Sequence, residues 1–262
     1  MSATPRRLAW TVCVAALAGA AVAASSGAPD LSGRWAMIQV YSEIAMLPIV
    51  GERPRISVVA QYVDLVQSGS AIVMIDTYCF TDVDDGTPLV RTEVPDEFMA
   101  SLRPTPHTAR LLGSSDGSGF RADEYVEVRG ARLADPALEE LPVSPDDPRV
   151  FDQDGDGFPG MSVRVRILGL VEGTAYVVQR VRYSLDGVVV DANTIRGTIR
   201  WATEQASLGA STPLLRVDAP ARPDPDASRS VFLIVRVGKA DDCSLLRARL
   251  PEWLRVLGVP LP

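Results

Sequence analysis

The chain has 262 residues, 47% of them hydrophobic, and 33 acidic against 26 basic side chains for a formal charge of −7. That acidic balance argues against a nucleic-acid partner, and a single histidine, His107, excludes a histidine-rich metal centre. The length suits one all-β domain, and nothing forces a division into two.

Read from the start, Arg6 and Arg7 precede an apolar run from Leu8 to Val22 that ends in small residues around Ala21-Val22-Ala23. This order describes a secretory signal peptide over residues 1–23, followed by a single domain over 24–262. The apolar run is short for a membrane span, and Cys13 lies inside it rather than at the cleavage point. The sequence therefore predicts an exported protein of the periplasm, cell surface or extracellular space, with no transmembrane segment after signal removal. Processing would remove two arginines and no acidic residue, taking the formal charge to −9.

Beyond the leader, period-two alternation rich in β-branched and aromatic residues predicts strands at 33–44, 55–67, 71–80, 124–133, 161–171, 174–184, 195–204 and 230–237, with a short extra one at 187–190. Ser68-Gly69, Glu172-Gly173 and Asp186-Gly187 read as tight turns, so sequence neighbours are predicted to pair antiparallel. Near residue 195, Ile195, Ile199 and Trp201 share one face while Arg196, Thr198 and Arg200 share the other, giving a dry and a wet side. Thr87-Pro88-Leu89-Val90-Arg91 and Thr212-Pro213-Leu214-Leu215-Arg216 suggest two related four-strand halves, 33–133 and 160–238. The connections at 81–123, 134–160 and 205–229 read as long loops. A short helix is predicted at Pro95, and a C-terminal one runs from Ser244 to Leu257, capped by Asp242, interrupted at Pro251 and stopped by Gly258.

Three features could carry chemistry. In Asp152-Gln153-Asp154-Gly155-Asp156-Gly157-Phe158-Pro159-Gly160 the carboxylates alternate and glycines permit a tight turn. Asp152, Asp154 and Asp156 could converge on one calcium ion, with the Phe158 carbonyl as a further ligand. The spacing resembles EF-hand and thrombospondin type 3 loops over nine residues, although Val163 stands where an EF-hand has its bidentate glutamate. A second acidic turn, Asp82-Val83-Asp84-Asp85-Gly86, reads as a plain turn. His107, between Pro106 and Thr108, reads as an exposed loop residue, and no Gly-x-Ser-x-Gly elbow marks a nucleophile. Cys79 and Cys243 remain after signal removal and are predicted to form a disulfide in an oxidising compartment.

The opening Asp30-Leu31-Ser32-Gly33-Arg34-Trp35 resembles the Gly-x-Trp start of lipocalins and the wider calycin group. That resemblance implies an antiparallel up-and-down β-barrel of about eight strands with a C-terminal helix. It further implies that Arg236 packs over Trp35 at the closed end, that Cys79 pairs with Cys243, and that the interior holds a small apolar ligand. A β-sandwich is the alternative fold. The functional alternatives are an envelope or cell-surface module that meets a protein partner without any cavity, and a hydrolase using unassigned carboxylates; the leading reading needs no catalysis. Ile72, Met74, Ile199 and Trp201 are bulky enough to fill an interior.

Overall fold

The computed structural model describes residues 29–215 and 221–259. The leader at 1–23 lies outside the described residues, as does Arg216 of the second Thr-Pro-Leu segment.

The strands are β1 (Gly33–Leu47), β2 (Gly51–Ser68), β3 (Ala71–Asp84), β4 (Val90–Glu93), β5 (His107–Leu112), β6 (Gly119–Arg129), β7 (Met161–Ile167), β8 (Val171–Asp191), β9 (Thr194–Ala210), β10 (Ala221–Pro223) and β11 (Val231–Arg236). Helix α1 spans Asp96–Ser101 and α2 spans Cys243–Leu257. Eight strands close a ring in chain order: β1, β2, β3, β5, β6, β8, β9 and β11, which returns to β1. Every pairing is antiparallel, so the fold is an up-and-down barrel with no open edge in its ring. The three remaining strands lengthen one end. β7 pairs with the first part of β8, β4 with β7, and β10 with the end of β1.

Alternation explains the barrel wall, and its exceptions explain the shape. Along β1, Trp35, Met37, Gln39, Tyr41 and Glu43 point inward, while Ala36, Ile38 and Val40 lie beneath α2 with Leu246, Leu250, Trp253 and Leu254. Two dry faces make β1 an almost continuous apolar run instead of a simple alternation. In β3 the register against β2 shifts by one residue, so that Cys79 has no strand partner. This bulge reverses the parity: Ile72, Met74, Asp76 and Tyr78 face inward before it and Thr81 and Val83 after it. Cys79 is thereby turned outward, where it is bonded to Cys243 at the start of α2, with Cα atoms 5.4 Å apart. A second bulge between Ala122 and Tyr125 of β6 changes the inward set from Phe120 and Ala122 to Tyr125, Glu127 and Arg129.

Several predicted boundaries move. The stretch 81–123 is not one loop: it contains β4, α1 and β5, and β5 is a ring strand, while β7 belongs to the rim. The predicted turn at Glu172-Gly173 falls inside β8, and Leu168, Gly169 and Leu170 make the reversal, with Gly169 at φ 67°. Asp186-Gly187 is not a turn either. Gly187 faces Gly197 across the β8–β9 ladder, and a Cβ on Gly197 would sit 2.2 Å from the Asp186 carbonyl oxygen, so the glycines permit a close backbone approach. Helix α2 runs unbroken through Pro251; Asp242 accepts from the Ser244 N–H, and Gly258 ends the helix at φ 71°. The segment 130–160 folds onto the outside of β8 and β9. There Ala131 joins Tyr176, Val178 and Leu208, and Arg180 and Arg182 donate to the carbonyls of Pro136, Glu139 and Ala137. No helix among the described residues is long and apolar enough to cross a membrane.

Candidate functional site

The barrel interior has three layers. At the end where β1 begins, Trp35, Met37, Val63, Leu65, Ile72, Met74, Phe120, Leu185, Phe232 and Ile234 fill the space and are almost wholly buried. Arg236 closes this end. Its guanidinium carbon lies 4.2 Å from the Trp35 ring centre, and its three nitrogens donate to the carbonyls of Asp30, Ser32 and Ala192. Trp35 in turn donates from Nε1 to the Leu31 carbonyl at 2.8 Å. The wall is tied here by charge-assisted bonds that also stack a cation on the indole face.

The middle layer is polar. Gln61, Asp76, His107, Tyr125 and Tyr183 meet inside the ring. Contrary to the sequence reading, His107 is not on an exposed loop: it is the first residue of β5, paired with Met74, and is only 8% exposed. Its Nδ1 lies 3.8 Å from Asp76 Oδ2, and its ring packs on Tyr125 at 4.6 Å. Tyr183 donates to Asp76 Oδ2 at 3.3 Å. Both ring nitrogens of His107, both amide atoms of Gln61 and Asp76 Oδ1 lack a hydrogen-bond partner. Burial pushes the Asp76 carboxyl up to about 7, aided by the Glu127 charge, and pushes the His107 imidazole down to about 4. Both groups are therefore driven toward their neutral forms.

Above this layer, toward the end carrying β4, β7 and β10, the interior opens into a cavity of about 210 Å³. Its walls are largely apolar, with Val83, Val94, Met161, Val163, Val177 and Trp201 prominent. Its polar groups come in paired sets. Glu127 accepts from Arg129 Nε at 2.6 Å, and Arg129 reaches Gln179 and lies over the Tyr78 ring. Burial opposes the Arg129 charge, but the adjoining Glu127 carboxylate more than offsets it and holds the guanidinium cationic. Glu43 accepts from Arg55 Nε and Ser57 Oγ, both at 2.7 Å. Tyr41 donates to Gln39 and meets Trp201 edge-on at 5.5 Å, while Trp201 donates to Ser230. Burial raises the tyrosine hydroxyls of Tyr41, Tyr78 and Tyr183 and keeps them neutral, those of Tyr41 and Tyr183 donating to Gln39 and Asp76.

Asp152, Asp154 and Asp156 lie together outside the barrel, each offering one oxygen within 4.8 Å of the others. Asp152 accepts the backbone N–H groups of Gly155, Asp156 and Gly157, and Asp156 accepts from Phe158 and Ser162. Asp154 Oδ1 has no partner. Phe158 stacks its ring on Tyr176 of β8, which pins the loop to the wall. The second acidic turn does not gather its carboxylates: Asp82 pairs with Arg247, and Asp85 accepts from Thr92.

Tyr41, Tyr78, Glu127, Arg129 and Asp76 were not singled out from sequence. The bulges that aim several of them inward leave no mark in alternation until the register is known.

Fold and site together define a closed eight-stranded up-and-down barrel, filled at one end and hollow at the other. No protein-family model matches the chain, and neither a curated protein nor a solved structure matches it.

Proposed function

We propose that this chain is an exported, lipocalin-like binding protein whose barrel holds a small, largely apolar molecule by one polar end. The observation that carries this reading is the cavity itself: about 210 Å³, apolar along its walls, with hydrogen-bonding side chains at its inner end. Its volume exceeds the roughly 150 Å³ of an apolar cavity able to take up benzene. The Trp35–Arg236 stack supports a sealed end opposite the mouth. The two carboxylates of the cavity wall, Glu43 and Glu127, are each engaged by an arginine, and Asp76 is not part of that wall, which disfavours a hydrolase acting on a molecule held there. Segment 130–160 is packed against the barrel rather than extended as an arm for a partner. Mass spectrometry of an organic extract of the purified protein tests the proposal. One small apolar or amphipathic species per chain is the expected result; an extract with no such species from a barrel that also takes up no hydrophobic fluorophore would refute it.

A structural calcium ion is the second part of the proposal. The convergence of the Asp152, Asp154 and Asp156 oxygens and the unpartnered Asp154 Oδ1 fit a hard cation. Held there, the ion would rigidify the loop that leads into β7, where Asp154 and Asp156 already accept from Ser162. With an affinity near 10⁻⁴ M, calcium at about 10 mM stabilises the fold by roughly 2.7 kcal/mol. Calorimetry and thermal melting check this: heat of binding and a raised Tm are expected, both lost in Asp154→Asn. Absence of heat in the parent chain would remove the ion from the account.

A further inference from the structure

We infer that the mouth of the barrel docks onto an anionic lipid surface. Among the described residues, only Ile49 and Leu168 are non-glycine residues with positive φ, at 59° and 53°. A β-branched residue seldom adopts this backbone state. Both sit at turn tips on the hollow end, Ile49 between β1 and β2 and Leu168 between β7 and β8. Their side chains are 62% and 51% exposed, and Leu170, in the same turn as Leu168, is 85% exposed. Met46, Leu89 and Leu214 are further exposed apolar side chains in the same region.

These tips form one surface. Leu168 N–H donates to the Leu89 carbonyl at 2.7 Å, and Leu47 and Val50 of the first tip pack with Val90 and Val165 of β4 and β7. Met46, Leu47 and Pro48 also line the cavity, so the apolar rim is continuous with its mouth. Behind the tips stand exposed arginines. Arg53 and Arg91 form no ion pair among the described residues, whereas Arg166 pairs with Glu172, Arg164 with Glu93 and Arg222 with Glu52. Among the described residues of this end the other charges largely balance, with Arg55 between Glu43 and Asp85 and with Asp84 beside them, so the cationic groups left over are Arg53 and Arg91, both exposed.

Apolar side chains foremost and guanidinium groups a few residues behind them match the order of a lipid leaflet, hydrocarbon beyond a layer of phosphates. A docked barrel would present its cavity to the lipid. The inference stands whether or not the cavity holds a ligand.

Partition onto phosphatidylglycerol-containing and pure phosphatidylcholine vesicles tests it. Asparagine tolerates the left-handed region, so Ile49→Asn with Leu168→Asn should leave the melting temperature unchanged or higher. Combined with Leu170→Ser, these changes should weaken partition by about a hundredfold or more. Arg53→Gln with Arg91→Gln should cost about tenfold on anionic vesicles and nothing on neutral ones. Leu112→Ser, at the filled end, should have no effect. The indole introduced by Leu170→Trp should be quenched by brominated acyl chains, over and above any quenching of the parent's own tryptophans, Trp201 of the cavity wall included. Tip variants that bind as the parent does, an unquenched indole, or a parent that ignores anionic vesicles would overturn the inference. So would loss of self-association in the tip variants without vesicle binding by the parent, which would make the rim a protein contact.

Discussion

Asp76 and His107 bring opposite proton linkages into one buried layer. The raised Asp76 carboxyl binds its proton more tightly in the fold, so its stabilisation is present below about 3.8 and is lost as pH rises through about 7. The lowered His107 imidazole does the reverse: its contribution is present above about 6.5 and is lost as pH falls through about 4. Between pH 4 and 6.5 the two slopes oppose each other. Asp76→Asn should therefore leave a chain whose stability rises over this window, and His107→Gln one whose stability falls. Denaturant titration at several pH values checks the signs; equal slopes in the two variants would contradict the buried pair. From sequence, the flanking Pro104 and Pro106 suggested a loop. The alternation of His107, Ala109 and Leu111 with Thr108 and Arg110 was the available signal, but six residues beside two prolines are too few to outweigh it.

At the scale of elements, the bulge in β3 and the cap of α2 meet in the disulfide. The bond closes a separation of 164 residues, and in the chain-entropy model such a loop contributes on the order of 4–5 kcal/mol. Reduction, or Cys79→Ser with Cys243→Ser, should lower stability by about that amount and loosen α2 before the ring opens. Hydrogen exchange under reducing conditions would show this as early loss of protection in residues 243–257. Simultaneous loss throughout the ring would argue that α2 and barrel are one cooperative unit. Where one face is wet, as in β9 with Ile195 and Ile199 inside and Arg196 and Arg200 outside, sequence alternation was sufficient. Where the chain reverses is harder to read. Gly169 turns between β7 and β8 while Gly173 and Gly187 stay in β8, because a glycine serves equally for a turn and for close packing against Leu215 or Gly197.

At the scale of the whole molecule, the ring strands follow the order of the chain, and the β1–β11 pairing closes the ring between its first and last strands. That simplicity made an up-and-down barrel legible from strand spacing and the Gly33-Arg34-Trp35 opening. The hollow upper half was not legible, because β4, β7 and β10 extend the wall without entering the ring and the bulges reset which side chains face in. Bulky Ile72, Met74 and Ile199 do fill the lower part, but Trp201 stands in the cavity wall. As a binding protein, the barrel is proposed to hold one small molecule in this cavity. Fluorescence titration with a hydrophobic dye, compared between the parent and Ala175→Trp, tests it most directly. One dye per parent barrel is expected and, with an indole filling the space beside Val163 and Val177, affinity at least about tenfold weaker at an unchanged melting temperature. Equal dye binding by parent and variant would contradict it.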